Sequence, residues 1–280
     1  MNWFTFSLLA GLLFAASRVV ARFVLRKQGN ALAFTALHDF IAGLCLLPFL
    51  FIGFHWPTQP ITWLYFSGVV VFAFLCDWLA FLALRLIDVS LYQIVNQVRH
   101  IFVLVGGLLL FQESITWIKV VAIVLITLGV GVAVSEKTRF TLNRGVILSI
   151  ISTLFAIVAF LFAKLAVRDF SETAAASLEL MLIGILAFSC LGFRPKPLVS
   201  ELRLQKWGLV VSGLLFGGFE VILFYALRVG EASRVIPVTQ SSVVFALIAG
   251  LVFLRERQRL PQKISGAILI GVGIVAMYLL

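Results

Sequence analysis

The stretch Asp77–Glu113, DWLAFLALRLIDVSLYQIVNQVRHIFVLVGGLLLFQE, returns 143 residues later as Glu220–Glu256, EVILFYALRVGEASRVIPVTQSSVVFALIAGLVFLRE. Aligned without a gap, twelve of the 37 positions are identical: Phe81/Phe224, Ala83/Ala226, Leu84/Leu227, Arg85/Arg228, Ser90/Ser233, Val95/Val238, Gln97/Gln240, Phe102/Phe245, Leu104/Leu247, Gly107/Gly250, Leu108/Leu251 and Glu113/Glu256. Asp77/Glu220 and Asp88/Glu231 exchange acid for acid. The offset is about half of the 280 residues, which marks a duplicated chain. Internal repeats with ionisable groups deep in apolar segments are the sequence mark of secondary transporters.

Composition sets the solvent. Apolar residues make up 62% and charged residues 12%, with mean hydropathy +1.14. A soluble domain carries about a quarter charged residues, so this chain needs lipid around it. No polar stretch exceeds a short loop, which leaves no room for a separate soluble domain. The net charge of +10 is dispersed between hydrophobic runs, a pattern of membrane loops and not of a nucleic-acid surface. Met1–Ser17 lacks a basic leading segment and reads as part of the first span, not as a cleaved signal. Cys45, Cys76 and Cys190 fit neither a metal spacing nor a disulfide framework and read as buried structural thiols.

A membrane helix needs roughly 20 apolar residues. Candidate spans are 3–25, 32–53, 62–84, 89–111, 117–135, 145–167, 173–193, 207–227, 233–254 and 262–280. The fold class is therefore all-α, a polytopic membrane protein of ten transmembrane helices. Continuous apolar runs exclude a β-barrel. Lys27–Asn30, Trp56–Pro60 and Arg194–Pro197 carry turn and loop signals. Ten spans divide into five per repeat, residues 1–139 and 140–280. Five is odd, so the second half enters the membrane in the opposite sense and the repeats are inverted.

Loops on one side hold 14 Lys/Arg, against Lys119, Arg168, Arg228 and Arg234 on the other. The positive-inside rule then places both termini outside the cytoplasm. The expected location is a bacterial inner membrane, crossed many times.

After the loops are set aside, Arg18, Arg22, Arg99 and Lys164 remain as deep cations, and Asp39, Asp77, Glu179 and Glu220 as deep acids. A charge near the bilayer centre costs on the order of 3 kcal/mol, so such groups face a bundle interior or a wet cavity. Arg18, Arg22, Asp39, Lys164 and Glu179 read either as mutual charge partners or as site residues. Asp77 and Glu220 are the leading candidates for substrate binding and proton coupling, with His100 as a relay. In span 4, Gln93, Asn96, Gln97 and His100 share one helical face, continued by Gly107. Arg99 belongs to the same stretch. Gln240 in span 9 is the mate of Gln97, and the two are expected to meet near the pseudo-axis. Gln93 and Asn96 also read as interhelical glue worth about 1 kcal/mol each. Trp78, beside Asp77, offers an aromatic wall or simple lipid-facing packing. Glu113 and Glu256 lie at span ends and read as caps or loop anchors. Pro237 marks the first turn of span 9 or loosens its backbone.

Phe81-x-Ala83-Leu84-Arg85…Ser90 running to Leu108-x-x-x-x-Glu113, and Phe224-x-Ala226-Leu227-Arg228…Ser233 running to Leu251-x-x-x-x-Glu256, resemble the drug/metabolite transporter superfamily, EamA-like branch. Gly129-x-Gly131 and Gly271-x-Gly273 are similar to that family's small-residue helices 5 and 10. The resemblance covers essentially the whole chain. It implies a central cavity lined by helices 1–4 and 6–9, with helices 5 and 10 outside, and export or exchange of small metabolites such as amino acids. The chain departs from the family pattern at Ile94, where a proline is common, and at Ala16-Ser17-Arg18, where Trp-Gly is typical.

The expected function is secondary active transport of a small polar metabolite by alternating access, with a small-molecule substrate, protons and the lipid bilayer as partners. Two alternatives stay open: a flippase for a lipid-linked group, in which Arg18 or Lys164 holds a phosphate, and a non-transporting membrane subunit. No nucleotide loop and no metal spacing supports an enzyme, and no cofactor or nucleic acid is expected. Duplicated halves complete a pore in one chain, so a monomer suffices, and a dimer is compatible.

Overall fold

The computed structural model describes residues 2–24, 30–50, 54–83, 86–87, 89–134, 143–253 and 259–279, and every regular element among them is helical. In chain order these are α1 (Trp3–Val24), α2 (Ala31–Leu46), α3 (Pro60–Ala83), α4 (Val89–Asn96), α5 (Val98–Phe111) and α6 (Trp117–Val134). There follow α7 (Arg144–Ala166), α8 (Glu172–Cys190), α9 (Pro195–Val229), α10 (Ala232–Val238), α11 (Ser241–Phe253) and α12 (Leu260–Tyr278). Nine described segments have the length and hydropathy to cross a membrane, and a tenth, Trp117–Ala133, is apolar but shorter.

Local chemistry starts these helices. Asn30 caps α2, its side chain accepting from Leu32 N at 3.0 Å and Ala33 N at 3.3 Å. Asn143 caps α7 through Val146 N at 3.0 Å. Pro60 opens α3, where the missing N–H is an orphan in any case.

Three sequence expectations need correction. Spans 4 and 9 are not uniform α-helix: a tight turn at Gln97 stands between α4 and α5, and one at Thr239–Gln240 between α10 and α11, although the apolar segments Ile94–Phe111 and Ala232–Ala249 run through them. At each turn the backbone bonds shorten to three residues, Gln97 N to Ile94 O at 3.1 Å and Gln240 N to Pro237 O at 3.0 Å. Pro237, inside α10 just before the second turn, has no N–H to give the carbonyl four residues back; the first turn has no proline and tightens regardless. Arg194–Pro197 is not a loop either, because α9 starts at Pro195 and runs to Val229. Its surface arm ends at Lys206 (φ 49°, ψ −136°), and the apolar span begins at Trp207, where hydropathy alone placed it.

In lipid, helices gain little by hiding apolar surface from one another, so close packing of small residues does the work. α1 packs on α9, α2 on α8 and α9, α3 on α7, and α6 on α12. At the α6–α12 seam a Cβ on Gly266 would stand 2.5 Å from Ala133 N and 2.6 Å from Gly129 O. Gly266→Val is therefore expected to cost about 2 kcal/mol or more, since backbone cannot yield as a side-chain tip does. Thermal unfolding in detergent checks this, with Gly271→Val as control, because nothing lies within 4 Å of a Cβ there.

The chain ends that share one side of the bundle are tied together. Asp169, between α7 and α8, accepts from Thr58 N at 2.8 Å, Gln59 N at 2.9 Å, Thr58 Oγ1 at 2.9 Å and Thr62 Oγ1 at 3.1 Å, closing off the start of α3. These donors, the Gln59 N–H foremost, hold its carboxyl below the usual range. A depressed folded-state value gives stability that is present above the unfolded value, about 3.9, and is lost as pH falls through the folded one. Asp169→Ala is expected to lower the thermal transition at neutral pH by a few degrees and to lose that effect in strong acid. On the same side, Glu113 reaches the start of α10, accepting from Ala232 N at 2.7 Å and Ser233 N at 3.0 Å. Gly107 makes room for this, since a Cβ there would lie 2.5 Å from Glu113 Oε2.

Candidate functional site

The polar centre begins on α1 and α2. Ser17 Oγ donates to Ser212 O of α9 at 3.0 Å, and the two hydroxyls lie 3.3 Å apart. Ser212 Oγ is in turn 3.2 Å from His38 Nε2, and His38 Nδ1 is 2.7 Å from Asp39 Oδ1. An apolar bundle tolerates Ser17, Ser212 and His38 because each finds a partner across a helix seam, and Asp39 is held by His38 on its own helix. Aromatic rings enclose them. The His38 ring lies 5.4 Å from Phe34 and 5.1 Å from Phe216. The Arg18 guanidinium lies 4.7 Å from the Phe14 ring and 5.6 Å from Phe216, a cation–π seat.

Four acids converge on this centre, one from each of four helices: Asp39 (α2), Asp77 (α3), Glu179 (α8) and Glu220 (α9). The charge of Asp39 acts on Asp77, Glu179 and Glu220, and that of Arg18 acts on Asp39, Asp77 and Glu220. Asp39 and Glu179 are buried, while Asp77 and Glu220 are half-buried. Among the described residues neither Asp77 nor Glu220 has a hydrogen bond or an ion pair, and Asp39 Oδ2 and Glu179 Oε2 are buried without a partner. Trp78 stacks on Phe74 at 6.0 Å.

A second polar group lies beside the first, on α3, α4, α5 and α7. Ser152 Oγ donates to Cys76 O at 3.0 Å, and Thr153 Oγ1 donates to Asn96 Oδ1 at 2.6 Å. His100 Nε2 is 3.2 Å from Gln97 Oε1, inside the tightened turn. Arg99 lies over Phe160 at 5.8 Å. Gln97 and Gln240 each sit at a turn within a span, and both are buried. The side chains of Arg22 and Gln93, and all of Glu256, lie outside the described residues.

Lys164 differs from its sequence reading as a partner of a deep acid. Its ammonium donates to Leu227 O at 2.7 Å and to Gly230 O, satisfying carbonyls that the end of α9 leaves open. Lys119, counted as a loop cation, is fully buried and pairs with Glu231. His38, Ser17 and Ser212 carry no periodic signal, and sequence reasoning passed over all three. A histidine directly before a deep acid was the one available clue.

A model of the EamA-like transporter family matches residues 1–135 and again residues 143–279. An uncharacterized transporter from the cobO 3' region of a Sinorhizobium species is 30% identical over 134 residues, 44% of this chain and 94% of that protein. An uncharacterized transporter of Archaeoglobus fulgidus is 30% identical over 186 residues, 65% of this chain and 66% of that protein. A protein crystal structure shares the fold with a TM-score of 0.76 at 15% identity, covering 99% of this chain and 98% of that one.

Proposed function

Because the chain belongs to the EamA-like transporter family, we propose that it is a secondary active transporter that exchanges a small polar metabolite, such as an amino acid, for protons by alternating access. The coarser part needs no proposal: it is a multi-pass membrane transporter, with lipid around it and a small molecule as cargo. The observation that carries the finer reading is the set of four carboxyl groups, Asp39, Asp77, Glu179 and Glu220, with Arg18 as the one arginine among the described side chains whose charge acts on three of them. Among the described side chains, one fixed cation stands against four acids. Protons or a cationic group of the cargo must supply the balance, and whichever enters displaces the other. Arg18 remains for a carboxylate, which suits a zwitterion.

Packing supports an inverted arrangement of residues 1–139 and 140–280. The contact of α1 with α9 and that of α3 with α7 exchange when the halves are swapped, whereas α2 with α8 and α6 with α12 map onto themselves. The four cations on the sparsely charged side support the proposed orientation, with termini outside the cytoplasm. Lys119 and Arg234 pair with Glu231, Arg228 pairs with Glu172, and Arg168 lies over Phe111, so each has a role in the fold. The internal use of Lys164 argues against a flippase that would need it for a phosphate.

Thermal unfolding in detergent against the twenty amino acids, organic cations, sugar phosphates and lipid carriers, at two pH values, tests the reading. A ligand that binds the folded state raises the transition by mass action. The expected result is a rise with one amino-acid class, smaller at low pH. A rise only with lipid-linked compounds, or with nothing, would count against it.

A further inference from the structure

We propose that His38 carries a proton in this exchange, and that its protonation turns the Ser212 hydroxyl from the imidazole of α2 to the backbone of α1. The inference rests on the transport reading above and adds residues that the acids alone do not suggest. Neutral His38, with its proton on Nδ1, donates to Asp39 Oδ1 and must accept at Nε2, so the Ser212 hydroxyl points to it. Once Nε2 gains a proton it becomes a donor, and Ser212 Oγ must accept. Its own hydrogen then has two acceptors in reach, both on Ser17 of α1: the carbonyl O, to which Ser212 Oγ donates at 3.3 Å, and Oγ, also at 3.3 Å. One hydroxyl hydrogen thus serves acceptors on two different helices, and the imidazole decides between them. The bond from Ser17 Oγ to Ser212 O holds the α1–α9 seam in both states.

His38 is not isolated: charged groups reach it or its partner Asp39 from four helices. Arg18 of α1 opposes a charge on His38 and Asp77 of α3 favours one, and Glu179 of α8 and Glu220 of α9 interact with its partner Asp39. Asp39 Oδ2, buried and without a partner among the described residues, is a second seat for the proton. The order Ser–His–Asp has the connectivity of a nucleophilic triad. Ser212, however, is 0% exposed inside a helix seam, so no carbonyl substrate can reach it. Here the chain of bonds moves a hydrogen between helices.

The sequence holds only three histidines, His38, His55 and His100, so ring-nitrogen NMR of the full chain in detergent with 15N-histidine is tractable, with His38→Gln assigning the signals. Carbonyl-13C serine combined with 15N-arginine isolates just two peptide bonds, Ser17–Arg18 and Ser233–Arg234. As the pH is lowered from about 8 to the acid limit of the folded protein, His38 is expected to pass from the Nδ1–H tautomer to the doubly protonated ring. The Ser17 carbonyl resonance should move in step. In Ser212→Ala the ring still titrates, but the Ser17 carbonyl no longer follows. A His38 that keeps one protonation state across this range, or a Ser17 carbonyl indifferent to it in the wild type, overturns the switch. Protons are the only probe, so a rigid His38 leaves the transporter reading standing, and a ligand panel without shifts refutes that reading separately.

Discussion

Asp77→Asn combined with Glu220→Gln is expected to abolish the pH dependence of ligand binding and to reduce metabolite-driven proton movement by about tenfold or more, within the usual range of coupling between linked sites. The two half-buried acids occupy equivalent positions of the duplicated segment and reach the same centre from α3 and α9. Neither is held by another described side chain, so each is free to change partners as cargo and proton exchange. The amide replacements keep size and hydrogen-bonding capacity and remove only the titration. Binding itself should survive in weakened form, because Arg18, Asp39 and Glu179 remain. Each single variant should keep part of the coupling. A double variant whose proton movement matches the wild type would show that protons travel elsewhere.

Lys119→Met is expected to destabilise the fold by about 2 kcal/mol, the usual size of a lost hydrogen bond to a charged group, because Glu231 is 33% exposed and keeps Arg234 as a partner. The Lys119 side chain is 0% exposed and lies 2.5 Å from both Glu231 Oε2 and Ser114 O. It thereby joins the start of α6 to the turn between α9 and α10, beside the Glu113 cap. Burial of Glu231 works against its charge, but the Lys119 bond and charge, with Arg234, prevail and hold its carboxyl below the usual range. The latch is therefore at full strength above the unfolded carboxylate value, about 4.3, and weakens as pH falls through the folded one. Adding Glu231→Gln to Lys119→Met should restore part of the loss, because the abandoned charge disappears with it. Thermal unfolding of the four proteins in the cycle gives the coupling. A single variant as stable as the wild type would mean that the pair contributes nothing.

Hydropathy and the 143-residue offset made ten helical segments legible, because lipid demands long apolar runs and a duplication leaves identities in register. The span-8 boundary at Trp207 was readable for the same reason. The surface arm before it was not, since two prolines in Arg194–Pro197 suggest a loop unless the first happens to open a helix. The deep acids were visible as charges among apolar neighbours. Their convergence with His38 was not, because it depends on how α1, α2 and α9 rotate against one another, and Ser17 and Ser212 look like any small residue of a membrane helix. Lys119 was misplaced because a cation two residues into a span looks like a loop residue until Glu231, 112 positions away, is brought to it.

Proteoliposomes carrying the purified chain and an internal pH dye test the central claim most directly. An inward gradient of the amino acid found by thermal shift should alkalinise the interior as protons leave in exchange, and Asp77→Asn with Glu220→Gln should remove the signal. A folded, correctly inserted wild-type protein that takes up the amino acid without moving protons would contradict proton exchange, and one that moves neither would contradict the transporter reading itself.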